Sequence, residues 1–277
     1  MNILKTAIMA LAASVSVSQL SAADVRRQSL DGEWQFRQER YNDWYPAQVP
    51  GTVHTDLMAN GLIDDPYMGL NERSVQWVDK EDWIYRTSFD VAEDVWASGN
   101  IDLVFEGLDT YADVYLNDSL ILKADNMFRG WRVAVKDLLK EKDNELMVHF
   151  YSPTRIGLQK LEALPYTYEA INDQSQNGGL FDKRVSIFTR KAGYHYGWDW
   201  GPRLVTSGIW RPVGLEGWTD ARVSDVYYHQ TEVSSKKAVI CSRAVTSPTA
   251  PRATSTIERA LSRSCFRAPS RAIRYCS

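Results

Sequence analysis

The stretch Asp82–Val91, "DWIYRTSFDV", sets Trp83, Tyr85, Thr87, Phe89 and Val91 at every second position. Successive side chains of a strand point to opposite faces, so this period of two describes a strand with one buried face. The same alternation continues in both directions from it. Toward the N-terminus it takes in Trp34 and Phe36. Toward the C-terminus it takes in Ile101, Leu103 and Phe105, then Val114 and Leu116, Trp131, Val133 and Val135, then Leu146, Val148 and Phe150, Val185 and Ile187, and Val213 and Leu215. Short strands divided by turn residues, with helix confined to brief pieces, predict an all-β chain built as a β-sandwich. Asn117-Asp118 between two apolar runs predicts a two-residue hairpin turn. Thr55 is read as the N-cap of a short helix over "DLMAN", with Gly61 beyond its end. Leu158, Leu161 and Leu164 predict another short helix, stopped by Pro165.

The chain has 277 residues, enough to bury a sizeable core. Lys5 precedes an Ala- and Val-rich run that ends on small residues near Ala22, so 1–22 reads as a secretory signal and predicts an exported protein, periplasmic or secreted. That run is shorter and more Ser-interrupted than a membrane span, and none is expected elsewhere. The three cysteines, Cys241, Cys265 and Cys276, lie near the end, so the body is expected to fold without disulfides. Beyond Asp220 a new alternation, "RVSDVYYHQTEV", reads as the first strand of a second domain over 221–235. From Lys236 to Ser277 the composition changes: nine Lys and Arg stand against one acid, Glu258, while the preceding residues carry 23 basic and 34 acidic groups. This tail, 236–277, has no clear period and is expected to be irregular, the hypothesis being a reading frame lost near Val233–Ala238, which resequencing the gene would test. A nucleic-acid arm is the other meaning of such a composition, and an exported protein disfavours it.

The chemistry-bearing stretch is Gly193–Arg203, "GYHYGWDWGPR". A pyranose ring presents apolar C–H faces and a hydroxyl rim, so a sugar site combines aromatic surface with carboxylates or amides. Trp198, Asp199 and Trp200 supply both. On a regular strand the two indoles would share one face and Asp199 the other; only a turn brings all three to one ligand, and Gly193, Gly197, Gly201 and Pro202 favour one. Asp199 and Trp198 are expected at the site, with Trp200 packed inward. The competing reading puts both indoles in the core and pairs Asp199 with Arg190, Lys191 or Arg203. None of the four histidines has metal-ligand spacing, so no metal is expected. His149 is expected to face solvent and His195 to be structural. No phosphate loop, nucleophile elbow or basic recognition helix occurs in the body, so no cofactor and no nucleic-acid partner is expected. No carboxylate pair for glycoside cleavage can be chosen from spacing alone.

The strings "VPGTVHTDLMANGLIDDPYMGLNE", "DWIYRTSF", "FEGLDTYADVYLN", "NMFRGWRVAVKDLL" and "RKAGYHYGWDWGPRLVTSGIWRPVGLEGW" occur in that order. Together they closely resemble the N-terminal part of β-mannosidases of the β-galactosidase and β-glucuronidase superfamily, from about Ser29 to Glu232. The resemblance implies a jelly-roll, galactose-binding-like domain over 23–220, then an immunoglobulin-like sandwich, then a β/α barrel that carries both catalytic glutamates. No catalytic residue is therefore expected in this chain. It also implies that the aromatic loop forms part of the wall around a terminal β-mannose, with Asp199 accepting hydroxyl hydrogen bonds, Trp198 bounding the pocket and Trp200 beside it. Arg190 and Lys191 are assigned to loop support. The implied partners are β-mannoside oligosaccharides. Two other readings stay open at this point: a free-standing carbohydrate-binding module and a non-functional truncated product.

Overall fold

A computed structural model describes residues 25–166, 168–233, 237–248 and 261–269. The signal read over 1–22 lies outside the described residues. Ten strands build two antiparallel sheets. The first contains β1 (Arg26–Ser29), β5 (Asn100–Phe105), β8 (Trp131–Ala134) and β10 (Val213–Trp218) in the order β1-β10-β5-β8. The second contains β2 (Gly32–Gln38), β3 (Tyr45–Val49), β4 (Trp83–Phe89), β6 (Tyr111–Leu116), β7 (Ser119–Asp125) and β9 (Asn144–Phe150) in the order β3-β2-β4-β9-β6-β7. Three short helices join them: α1 (Val53–Ala59), α2 (Glu93–Trp96) and α3 (Pro153–Glu162).

The two sheets close on one core, as the alternation demands. Trp34, Phe36, Tyr85, Val114, Val148 and Phe150 from the six-stranded sheet meet Ile101, Leu103, Phe105, Val213 and Leu215 from the four-stranded one. Tyr85 sits at the centre, its ring 5.6 Å from Phe36 and 5.7 Å edge-on to Phe150. Each such ring contributes roughly 1.5–3 kcal/mol by leaving water. Its phenol donates to Asp56 Oδ2 at 2.7 Å, so the polar tip is satisfied. The Asn117-Asp118 turn is present: both residues take positive φ, 49° and 66°, as a type I′ hairpin requires.

Three local expectations are corrected. Thr52, not Thr55, caps α1: its amide donates to Thr55 Oγ1 at 3.1 Å, which places Thr55 three residues inside the helix as the far half of a capping box. Val185 and Ile187 do not form a strand. Asp173 Oδ2 accepts the amides of Val185 and Ser186 at 2.7 and 2.8 Å, and this local bond turns the chain into a single 3-10 turn over Ser186–Phe188. The 236–277 tail is not wholly irregular either. β12 (Lys237–Pro248) and β13 (Leu261–Pro269) pair with β11 (Ala221–Val233) in a separate three-stranded antiparallel sheet. Ladder pairing uses backbone groups, which any non-proline residue offers, so weak side-chain periodicity does not forbid it.

Candidate functional site

The aromatic stretch is built from its two ends. It enters beside β7, where Arg190 O accepts the amide of Met127 at 3.0 Å, and leaves at Gly208, which exchanges backbone hydrogen bonds with Asp109. Just inside the first end, Lys191 is fully buried and its Nζ bonds Asp109, Thr206 O and Thr206 Oγ1, the last two at 3.0 Å. Near the other end, buried Arg203 donates from Nη2 to Asp79 Oδ2 at 2.7 Å and from Nη1 to Gln76 Oε1 at 2.9 Å. Gln76 returns a bond from Nε2 to Arg203 O at 2.7 Å. Burial acts to raise the Asp109 carboxyl, but the Lys191 charge and three side-chain hydrogen bonds outweigh it and hold the group below its ordinary range. Asp109 is thus ionised and Lys191 is its counter-ion.

A small second core supports the stretch from below. Leu180, Val185, Tyr196 and Val205 pack together with Leu158 and Leu161 of α3 and with Phe188. Ser152 caps α3 by accepting the Arg155 amide at 2.9 Å, and Pro153 opens its first turn. Burial pushes His54 and His195 down to about 4, and the nearby Lys191 charge adds to this in both, so both imidazoles are neutral near pH 7. His195 Nδ1 lies 3.2 Å from Leu204 O, the structural role expected of it.

Between these anchors the chain makes a tight turn. Trp198 and Gly201 exchange backbone hydrogen bonds at 3.2 and 3.3 Å, leaving Asp199 and Trp200 at the tip. Gln174 braces it, accepting nothing there but donating its amide to Tyr196 O at 2.9 Å and its Nε2 to Trp198 O at 2.7 Å. Gly197 has φ +105°, and a Cβ there would stand 2.6 Å from the Gln174 side chain, so only glycine fits.

The turn brings Trp198, Asp199 and Trp200 together, with the indoles 5.7 Å apart and edge-to-face. The expectation that Trp200 packs inward is corrected: Trp200 is 84% exposed and Trp198 is the half-buried one. The two-residue tip leaves Trp200 no neighbouring layer to pack against. Asp199 is exposed and has no hydrogen bond or ion pair among the described residues. The cations that sequence reasoning offered it are taken, Arg190 by Asp125 at 3.1 Å, Lys191 by Asp109 and Arg203 by Asp79. The core reading of the loop therefore fails, and an acceptor carboxylate beside an open indole remains.

Two features elsewhere escaped sequence spacing. His149 does not face solvent: only 14% of its side chain is exposed, its ring lies 4.3 Å from that of Tyr151 at a tilt of 35°, and with Glu39 and Asp82 it brings three potential ligand atoms within 4.8 Å of one another. Asp82 is already committed to the Ser152 amide and the Arg155 guanidinium, so the group reads as an ion-pair network. A cavity of about 810 Å³ lies on the outer face of the six-stranded sheet, but the Trp44 ring beside it is already covered by Arg86 at 3.8 Å and approached by Arg37 at 5.1 Å.

The family described as glycosyl hydrolase 2 galactose-binding domain-like matches residues 34–211. The chain belongs to that family. Among members of known sequence, a protein named beta-mannosidase B from Thermothelomyces thermophilus is 44% identical over 202 residues, 72% of this chain and 22% of that protein. One of the same name from Aspergillus clavatus is 40% identical over 210 residues, 74% of this chain and 24% of that protein. The chain thus spans about a quarter of the length of these curated relatives. Among solved structures, the beta-D-mannosidase of Dictyoglomus thermophilum superposes with a TM-score of 0.76 at 38% identity, over 89% of this chain and 31% of that one. The exo-chitosanase of Amycolatopsis orientalis, at 16% identity and a TM-score of 0.58 over 88% of this chain and 28% of that one, is similar in fold alone.

Proposed function

We propose that this chain is the N-terminal part of a β-mannosidase and that its turn forms one wall of the site for a terminal, non-reducing β-mannose residue. Asp199 accepts hydroxyl hydrogen bonds, and the Trp198 and Trp200 indoles offer surface to the C–H face of the ring. The observation that carries this reading is the contrast within one stretch: both feet are locked by buried ion pairs while the carboxylate and indole at the tip stay unpartnered and open. Such an arrangement orients a ligand-binding pair without spending ligand binding energy on ordering it. The identity to proteins named β-mannosidase supports the sugar.

The pair of carboxylates that glycoside cleavage uses is assigned to the part of the relatives that this chain does not span. Its own residues bind and orient. We also infer, from Lys5 and the apolar run after it, that the protein is exported; fractionation of cells expressing the chain with and without 1–22 tests this. No helix among the described residues is long and apolar enough to cross a membrane.

The functional test is a chimera in which 24–218 replaces the matching domain of the Dictyoglomus enzyme. It is expected to hydrolyse an aryl β-mannoside. Asp199→Ala in that chimera is expected to lower kcat/KM by about 10- to 100-fold, the effect of one lost bond to a sugar hydroxyl at about 1–3 kcal/mol. An active chimera indifferent to Asp199→Ala would overturn the assignment.

A further inference from the structure

Beside the turn lies a second cavity, of about 390 Å³, lined by Glu72, Arg73, Gln76, Gln176, Asn177 and Arg203. Its volume falls within the roughly 300–1,000 Å³ of small-ligand sites. Two hydrogen bonds tie it to the aromatic tip: Asn177 Nδ2 donates to Gln174 Oε1 at 3.0 Å, and Gln174 Nε2 donates to Trp198 O at 2.7 Å. Its floor is built rather than accidental. Arg203 is buried, is fixed by Asp79 and Gln76, and is covered on one side by Gly178, where a Cβ would stand 2.6 Å from the guanidinium carbon. Its Nε is buried and has no hydrogen-bond partner among the described residues.

The rim carries unused polar groups. The Glu72 carboxylate, the Arg73 guanidinium and the Gln176 amide make no side-chain hydrogen bond or ion pair among the described residues. A strong acceptor, a strong donor and an amide thus converge on one space above a buried donor. The charges cancel, since Glu72 opposes Arg73 and Asp79 neutralises Arg203. A neutral ligand with alternating donors and acceptors fits that balance better than an anion, and a ring of vicinal hydroxyls is such a ligand.

We propose that this cavity is a second saccharide subsite, which takes a hexopyranose residue through its hydroxyls next to the residue held at the turn. The placement beside a sugar-binding turn rests on the function proposed above, whereas the cavity's chemistry stands on its own lining.

The test uses the full 277-residue chain, following the side-chain amide resonances of Gln76, Gln176 and Asn177 during titration with mannose, mannobiose and inorganic phosphate. Mannobiose is expected to shift all three saturably. A comparable shift with mannose identifies a site for free sugar, and a shift with mannobiose alone identifies one for a residue within a saccharide chain. The double variant Arg73→Ala, Gln176→Ala removes only exposed rim groups and is expected to weaken the Asn177 response by about tenfold or more with the rest of the spectrum retained. Asp199→Ala is expected to leave the cavity resonances responsive to mannobiose. That separates a failure of this subsite from a failure of the turn, which the chimera reads. Shifts with phosphate but not with sugar, no saturable shift at all, or a response unchanged in the double variant would each overturn the proposal.

Discussion

The sandwich of β1 to β10 and the sheet of β11 to β13 are both antiparallel and both made of regular ladders, yet they are held in different ways. In the sandwich each sheet has a partner layer, and residues such as Phe36, Tyr85, Val114 and Leu146 are wholly withdrawn from water. In β11 no described residue is buried: Val223, Val226, Tyr227, Tyr228 and Val233 are all exposed. Hydrogen-bonded pairing therefore suffices to define a strand, but only a second layer converts alternation into a core. The two regions meet at Arg222, which bonds Asp102 Oδ2 at 2.9 Å and lies 4.3 Å over the Trp218 ring.

The sharpest way to break the contrast is to attack the sandwich where burial makes charges interdependent. Asp79→Ala leaves the Arg203 guanidinium buried without its counter-ion, and is expected to lower unfolding free energy by about 3–5 kcal/mol. Urea denaturation followed by the tryptophans checks this; a loss below about 1 kcal/mol would show that water reaches the pair. Acidification comes next. His54 is pushed from 6.5 down to about 4, mainly by burial, so the unfolded chain takes up its proton first. The stability it contributes is complete above about pH 6.5 and is lost as the pH falls toward about 4, roughly 3 kcal/mol at one pKa unit per ~1.4 kcal/mol. Unfolding midpoints across that window should fall with a slope that His54→Asn reduces. The smallest effect belongs to the other region. Ending the chain after Ser224 keeps Arg222 and removes most of β11 with β12 and β13. The melting temperature of the sandwich is expected to stay within a few degrees, about 1 kcal/mol, and a larger drop would mean that the three-stranded sheet covers part of the core.

The sandwich was legible because its information is local. Trp83 and Tyr85 sit two apart, and a period of two survives whatever lies across the core. Asn117-Asp118 likewise carries its own backbone preference for positive φ. The aromatic stretch was legible in composition and misread in direction. Trp198 and Trp200 are the same residue type on the same turn, and Trp200 is the one left at the tip by the Trp198–Gly201 pairing, which Gln174, twenty-four positions before Trp198, braces. The Ser186–Phe188 turn was missed for a similar reason: Val185 and Ile187 fit a strand, and the Asp173 carboxylate that captures the Val185 and Ser186 amides leaves no periodic signal. Arg203 was read as one of several loop cations, and nothing near it announces Asp79 or the cavity it floors. Glu72 and Arg73 carry no signal in the sequence, because their shared space exists only once residues 72–76 and 174–178 are side by side.

The anchors of the turn also constrain the order in which the molecule can assemble. Lys191 meets an acid 82 positions away and Arg203 one 124 positions away. Neither contact can form until the segments carrying Asp79 and Asp109 are already in place, and distant contacts repay their loop-closure entropy late. The turn that carries Asp199 and Trp200 is thus fixed only once distant parts of the sandwich have met. A newly made chain would have to bring Asp79 and Asp109 to their partners before it could hold that turn still.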